Sequence, residues 1–368
     1  MFVILNKKIY SGIDSELKLY SRSKDIFSKI DSFLSNNSSK TILSFLSYDL
    51  KNNIENLDSN NKDNTNFPLV HLIVPKTISK LEEKKINVSN NKTEVLFKPE
   101  FSKREYVSKI SNIKKHIQNG DIYETNFCYS WNAKAVNFNA LEVYKKLYTI
   151  TEAPFSVYAD LEHHQIISAS PERFLLKQGS TLTSQPIKGT AKKLDDKSKD
   201  KQAIINFQKS QKERSENIMI VDLVRNDLSK IAKKSSVKVD ALCKLNSFKN
   251  IHQLISTIKC ELKENVSFSD IIKATFPMGS MTGVPKIKAM ELMDKYENTK
   301  RALYSGSIGV ILPNGDFDLN VVIRTLIYNK NNSHLSFFTG GAITMESCPD
   351  KEYEETLVKA KAILDACK

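Results

Sequence analysis

A chain of 368 residues can bury a large core, as one big domain or two smaller ones, and 40% hydrophobic with 26% charged residues is the ordinary balance of a globular protein. The formal net charge of +13 comes from lysines spread along the whole chain, and the short runs Lys84-Lys85 and Lys192-Lys193 lack interleaved aromatics, so the charge reads as solvated surface rather than a nucleic-acid footprint. No apolar run approaches the ~18 residues of a membrane span, the opening Met1-Phe-Val-Ile-Leu is too short for a signal peptide, and Cys128, Cys243, Cys260, Cys348 and Cys367 form no CxxC pair, which argues for a cytoplasmic protein without a disulfide framework or zinc site.

Residues 1 to about 95 alternate short apolar segments, such as 41–50, with polar loops. The Asn- and Asp-rich stretch 51–66 is expected as a surface loop. The polar patch 87–92 marks a boundary between an N-terminal region, 1–98, and a main domain, 99–368. A helix is expected over 102–118, where Tyr106, Ile110, Ile113 and Ile117 recur at helical spacing before Gly120. Strands are expected over 121–130, 155–160, 165–169, 305–312, 319–328 and 334–339, and helices over 214–227, 285–295 and 351–366. Many strands with separated helices and no repeat imply an α+β fold.

Four segments carry candidate chemistry. In Thr183-Ser-Gln-Pro-Ile-Lys-Gly-Thr190, Pro186 and Gly189 fix the backbone around Lys188, and a desolvated lysine of lowered pKa can act as a nucleophile. In the last helix Tyr353, Leu357, Ala360 and Leu364 share an apolar face beside a polar stripe of Glu352, Glu355, Thr356 and Lys359. That stripe is either a solvated face with i, i+4 pairs or a pair of carboxylates for a hard cation such as Mg²⁺. In the helix over 214–227, Glu216 and Asp227 border an apolar stripe of Ile220 and Leu223, while Asp222 and Arg225 suit a structural ion pair. The glycines and Pro285 of 276–291 precede a helix whose free N–H groups suit an anion, and Gly340-Gly341 after a strand offers a second such place.

Taken together, Pro186-Ile-Lys-Gly-Thr190, Glu216-Asn-Ile-Met-Ile-Val-Asp-Leu-Val-Arg-Asn-Asp227, Gly283-Val-Pro-Lys-Ile-Lys-Ala-Met-Glu291, Ile323-Arg-Thr325, Gly340-Gly341 and Glu352-Tyr-Glu-Glu-Thr-Leu-Val-Lys359 resemble the chorismate-utilising enzymes, the family of the anthranilate, aminodeoxychorismate, isochorismate and salicylate synthases. The resemblance covers roughly 99–368, and Tyr48-Asp49-Leu50 resembles the N-terminal part of the amino-transferring members. It implies a single α+β unit of two packed β-sheets with helices outside. It also implies Mg²⁺ held by Glu216 and Glu355 with Glu352 assisting through water. Tyr304, Arg324, Lys359 and the backbone at Gly340 and Gly341 would contact the substrate's carboxylates, Glu172 would be the general acid at the C4 hydroxyl, and Thr190 would line the ring site.

Two positions bear on which member the chain resembles. Glu124 stands where the hydrolytic members carry a water-activating lysine, and Lys188 stands where anthranilate synthases usually carry alanine and aminodeoxychorismate synthases a lysine. The implied reaction is amination of chorismate at C4 by way of a Lys188 adduct at C2, on the route to 4-aminobenzoate and folate, with ammonia from a glutamine amidotransferase subunit. Anthranilate synthesis and a catalytically inactive regulatory subunit are the alternatives. The chain departs from the family at Gln253, where a histidine is usual and His252 lies one place early, and at Ala342 and Gln185. His252 reads as a packed or capping residue.

Overall fold

The structure, a computed structural model, describes residues 1–81, 95–248 and 251–368. The polar patch 87–92 and the run Lys84-Lys85 lie outside the described residues. Apolar runs set the architecture. In Phe2–Leu5, Val3 and Leu5 face one way and Ile4 the other, all buried, and Ile166 and Ile167 divide in the same manner. Strands apolar on both faces must be covered twice. Among the described residues two antiparallel ten-stranded sheets therefore pack face to face, with Val3, Leu43, Phe45, Val157, Ile308 and Ile327 filling the space between them. Helices Lys103–Gln118, Ala140–Thr151, Lys286–Tyr296 and Pro349–Ala366 cover the outside of the first sheet around Tyr106, Leu147, Met293 and Ile363. Helices Ile26–Asn36, Gln211–Ser229 and Phe268–Thr275 cover the second around Ile30, Ile220 and Ile272. Truncating a central residue such as Phe45 would cost about 3–5 kcal/mol.

The first eighty residues supply strands to both sheets: Phe2–Leu5, Lys8–Ser11 and Thr77–Lys80 end the first, and Ile42–Leu46, Val70–Val74 and Ser15–Leu19 end the second. At the opposite end lie Glu124–Lys134 and His334–Ile343 of the first sheet and Ile187–Lys192 and Ile251–Glu261 of the second. The cavity described below opens there. Among the described residues no helix is long and apolar enough to cross a membrane.

Most expected elements form within a few residues of their expected bounds. The helix Lys103–Gln118 starts at a capping box in which Ser102 and Glu105 exchange bonds, a signature readable in the sequence. Two expectations are corrected. The segment 319–328 is two strands, Phe317–Asn320 in the second sheet and Thr325–Asn329 in the first. The apolar pattern runs on through the crossing because Val321 and Val322 are themselves buried, Val321 on the helix-covered side of the second sheet and Val322 between the sheets, and Arg324 turns the chain at a φ of 53°. The stretch 51–66 is not simply a surface loop: Lys51–Ile54 is a helical turn, Lys51 and Thr65 are buried, and the Asp63 carboxylate accepts from the backbone N–H groups of Thr65 and Asn66.

Candidate active site

All eleven residues singled out above line one cavity of about 370 Å³: Glu172, Lys188, Thr190, Glu216, Tyr304, Arg324, Gly340, Gly341, Glu352, Glu355 and Lys359. The two sheets supply its opposing walls, and helices Gln211–Ser229 and Pro349–Ala366 close it with Glu216 on one and Glu352 and Glu355 on the other.

Glu172 follows the strand His164–Ser170 and is held by its own backbone, since Val321 N–H donates to its carbonyl at 3.0 Å. Its carboxyl accepts from Ser280 Oγ at 2.7 Å and from Ile187 N–H at 3.4 Å. Burial outweighs these donors and the Lys188 charge, and pushes its pKa up to about 7. A carboxyl poised there can give up a proton at neutral pH.

Lys188 lies in Ile187–Lys192, where the register against Ile251–Glu261 shifts at Gly189, whose φ is +82°. A Cβ on Gly189 would lie 2.6 Å from Glu213 Oε2 and 3.1 Å from the Phe207 ring; the side chains could give way, but the left-handed φ favours glycine. The amine is buried and donates to Glu124 Oε1 at 2.6 Å. This corrects the expectation of a lowered pKa. Burial does pull the amine down, but the charges of Glu124, Glu216 and Glu172 together outweigh it and hold it above the ordinary lysine value. Glu124 was legible only as the absence of a lysine; its role as counter-ion follows from strand pairing that the sequence does not display.

The last helix is rotated from the expected faces. Glu352, Thr356, Ala360 and Ile363 form its buried line, and Thr356 Oγ1 lies 2.8 Å from Tyr129 Oη. Glu352 and Thr356 of the polar stripe thus face the protein, while the Glu355 side chain stays half exposed at the cavity. Glu352 Oε1 accepts from Lys212 Nζ at 3.1 Å, and the same ammonium is 3.9 Å from Glu216 Oε1. Glu355 pairs with Lys359 at 2.6 Å, and Lys359 also donates to the Gly340 carbonyl at 2.8 Å. A Cβ on Gly341 would lie 3.6 Å from Glu352 Oε2 and 3.9 Å from Glu355 Oε1, so those two carboxylates converge over this glycine. Burial pushes the Glu216 carboxyl up to about 7, whereas Lys359, Lys212 and Arg324 outweigh burial at Glu355 and hold it below the usual range.

Among the described residues no three carboxylate, histidine or cysteine side chains are gathered closely enough to hold a cation as they stand. The donor set nonetheless fits a hard divalent ion: it is all carboxylate oxygen, and Glu216 Oε1 is buried without a hydrogen-bond partner. Lys212, which the sequence reading missed although it sits four residues before Glu216, and Lys359 at present offset this negative charge.

Facing the carboxylates are the groups suited to an anionic ligand. The Arg324 guanidinium makes no hydrogen bond to the described residues, and burial draws its pKa down from the usual arginine value while leaving it charged. Tyr304 stacks on Phe338 at 5.0 Å, and burial pushes its hydroxyl well above the ordinary range. Beyond Phe337, His334–Ile343 pairs only with Glu124–Lys134, so alternate backbone groups near Gly340 and Gly341 lie on an open edge. Gln253 Nε2 donates to Thr190 Oγ1 at 3.4 Å, and its Oε1 is buried without a partner. His252 is structural, as expected: its ring lies 2.8 Å from Ser247 Oγ and 3.1 Å from Asp200. The expected anion site at the start of Lys286–Tyr296 is not on the cavity, where the preceding Ser280 and Met281 line the wall instead; Lys286 itself pairs with Asp227.

Comparison with known proteins identifies the family. The model of the chorismate binding enzyme family matches residues 6–365. The chain is 37% identical over 287 residues to a probable chloroplastic aminodeoxychorismate synthase of Oryza sativa subsp. japonica, covering 77% of this chain and 32% of that one. It is 37% identical over 263 residues to aminodeoxychorismate synthase component 1 of Escherichia coli (strain K12), covering 72% and 57%, and 30% identical over 298 residues to anthranilate synthase component 1 of Aquifex aeolicus, covering 80% and 60%. The chain thus spans a third to somewhat over half the length of these relatives. Anthranilate synthase component I of Streptococcus pneumoniae shares the fold, with a TM-score of 0.84 at 22% identity over 99% of this chain and 92% of that one. The chain belongs to the chorismate binding enzymes.

Proposed function

We propose that this chain converts chorismate and ammonia to 4-amino-4-deoxychorismate, the precursor of 4-aminobenzoate and folate, as an aminodeoxychorismate synthase component 1. The observation that carries the reading is Lys188: a buried amine on the wall of the same cavity as a carboxyl, Glu172, whose pKa is raised to about 7. Resemblance to aminodeoxychorismate synthases at up to 37% identity supports it. Anthranilate synthase, 30% identical in the Aquifex relative, is the rival.

Arg324, Tyr304 and Lys359 would hold the substrate's carboxylates, the arginine by its two-pronged donor geometry. Glu216, Glu355 and Glu352 would hold Mg²⁺, which would offset the charge of a substrate carboxylate. The Lys188 amine attacks C2, both ring double bonds shift round the ring towards C4, and the C4–oxygen bond breaks as Glu172 gives its proton to the departing hydroxyl, which leaves as water. Ammonia then adds at C4 and gives one proton back to Glu172, both double bonds return, and the C2–nitrogen bond to Lys188 breaks. Splitting a difficult displacement into two allylic steps is the gain of covalent catalysis. The ammonia would come from a glutamine amidotransferase subunit, and the enzyme would work in the cytoplasm.

The test is product analysis with chorismate, Mg²⁺ and an ammonium salt. Aminodeoxychorismate is expected, and anthranilate as the product overturns the reading. Glutamine should replace ammonium only when an amidotransferase is added.

A further inference from the structure

We propose that Glu124 is the base that takes the proton from the Lys188 ammonium before attack and returns it when the amine departs. The inference rests on the covalent reading above and adds a residue that reading does not use. A lysine must be neutral to attack carbon, yet Lys188 sits among Glu124, Glu172, Glu216 and Glu213, a setting that favours its charged form. A proton acceptor is therefore required. Glu124 Oε1, 2.6 Å from Nζ, is the only carboxylate oxygen among the described residues within ion-pair distance of that amine.

Two contrasts separate this pair from a structural one. The buried pair Glu297–Arg301 uses both carboxylate oxygens, since Oε1 accepts from Arg301 and Cys128 N–H and Oε2 from Arg301. Glu124 engages Oε1 alone, and its Oε2 is buried with no partner. Arginine, moreover, keeps its proton in proteins, whereas lysine can give it up. Transfer inside Glu124–Lys188 converts two buried charges into two neutral groups without changing the net charge of the cavity. Displacement of water by substrate favours that neutral form. The balance is complete: Nζ loses one proton to the Glu124 carboxylate, the free electron pair forms the C2–nitrogen bond, and the proton goes back to nitrogen as that bond breaks. Glu172 supplies the separate proton to the leaving hydroxyl.

The experiment is single-turnover formation of the Lys188 adduct with chorismate and Mg²⁺, ammonia omitted, read by mass spectrometry across pH in wild type and E124Q. In E124Q chorismate affinity should stay within about threefold, while adduct formation falls about 100-fold or more and the residual rate climbs with pH as solvent takes the proton. Wild-type rate and pH profile in E124Q overturn the role of Glu124 while leaving the covalent reading intact. No adduct in wild type overturns both. Should E124Q not fold, E124D keeps a carboxylate one methylene further from Nζ; slowed adduct formation at unchanged affinity supports the proposal, and wild-type rate overturns it.

Discussion

The helix Gln211–Ser229 carries a buried acid near each end, and the two ends differ. Asp227 is saturated: Lys230 donates to Oδ1 at 3.1 Å and Lys286 to Oδ2 at 2.5 Å. Lys286 is saturated in turn by the carbonyls of Thr275 and Pro277, at 3.2 and 2.8 Å. Glu216, three turns earlier, has its Oε1 3.9 Å from Lys212 and without a hydrogen bond. The buried lysine nearest the cavity, Lys188, likewise leaves its partner Glu124 half satisfied. Burying a polar group without partners costs free energy. A fold that satisfies one end and leaves the other open has groups to spare for a ligand, as the proposed function requires.

The largest effect expected from this contrast is at the two lysines. Lys188→Ala should lower aminodeoxychorismate formation by about 10³-fold or more while the folded protein still binds chorismate. Lys286→Ala should do the reverse, unfolding at lower denaturant with the activity of the folded fraction retained. If Lys188→Ala kept wild-type turnover, the open end would have no covalent role.

Next is Glu172, whose carboxyl is protonated below about pH 7 because burial raises its pKa. As the donor form is lost on raising the pH through that value, kcat/KM should fall on the alkaline side. Glu172→Gln should cost about 10²–10⁴-fold and remove that limb. A pH profile unchanged by the substitution would deny Glu172 the acid role.

Stability separates the acids of the helix. Asp227→Ala leaves Lys286 buried without its counter-ion and should cost about 3–5 kcal/mol in urea unfolding. Glu216→Gln should have the opposite sign in chelated protein. The folded-state pKa of Glu216 is raised from 4.5 to about 7, so its contribution to stability is present below 4.5 and lost as pH rises through 7. An amide escapes that loss and should gain about 1–2 kcal/mol at pH 8 while activity disappears. A destabilised Glu216→Gln would make the two ends alike. Chelation of wild type should abolish turnover, and Mg²⁺ should restore it.

The sequence displayed the chemistry better than the fold. Lys188, Glu172 and the acids of the last helix stand in short motifs whose residue types fit their roles, and all line the cavity. What stayed hidden depends on contacts between distant segments. Glu124 meets Lys188 across 64 residues, and Lys212 meets Glu352 across 140. The inward turn of Glu352 and Thr356 was concealed because periodicity assigns polar residues to solvent, and a polar cavity inverts that rule. The break at 321–324 was concealed because Val321, Val322 and Ile323 continue the apolar pattern of the strands on either side.

A third acid on the same helix calibrates the other two. Asp222 pairs with Arg225 at 3.0 Å, as the i, i+3 spacing implies, but the side chains are 78% and 52% exposed. In water such a pair gains little Coulomb energy, gives up side-chain freedom and is screened by salt. Asp222→Ala should therefore change stability by no more than about 0.5 kcal/mol and leave turnover unaltered. The three acids lie on one helix and differ in burial and partners. A double-mutant cycle with Arg225→Ala is the decisive measurement. A coupling well above 1 kcal/mol that persisted in high salt would mean that exposed pairs on this helix carry weight, and the contrast between its saturated and open ends would lose its baseline.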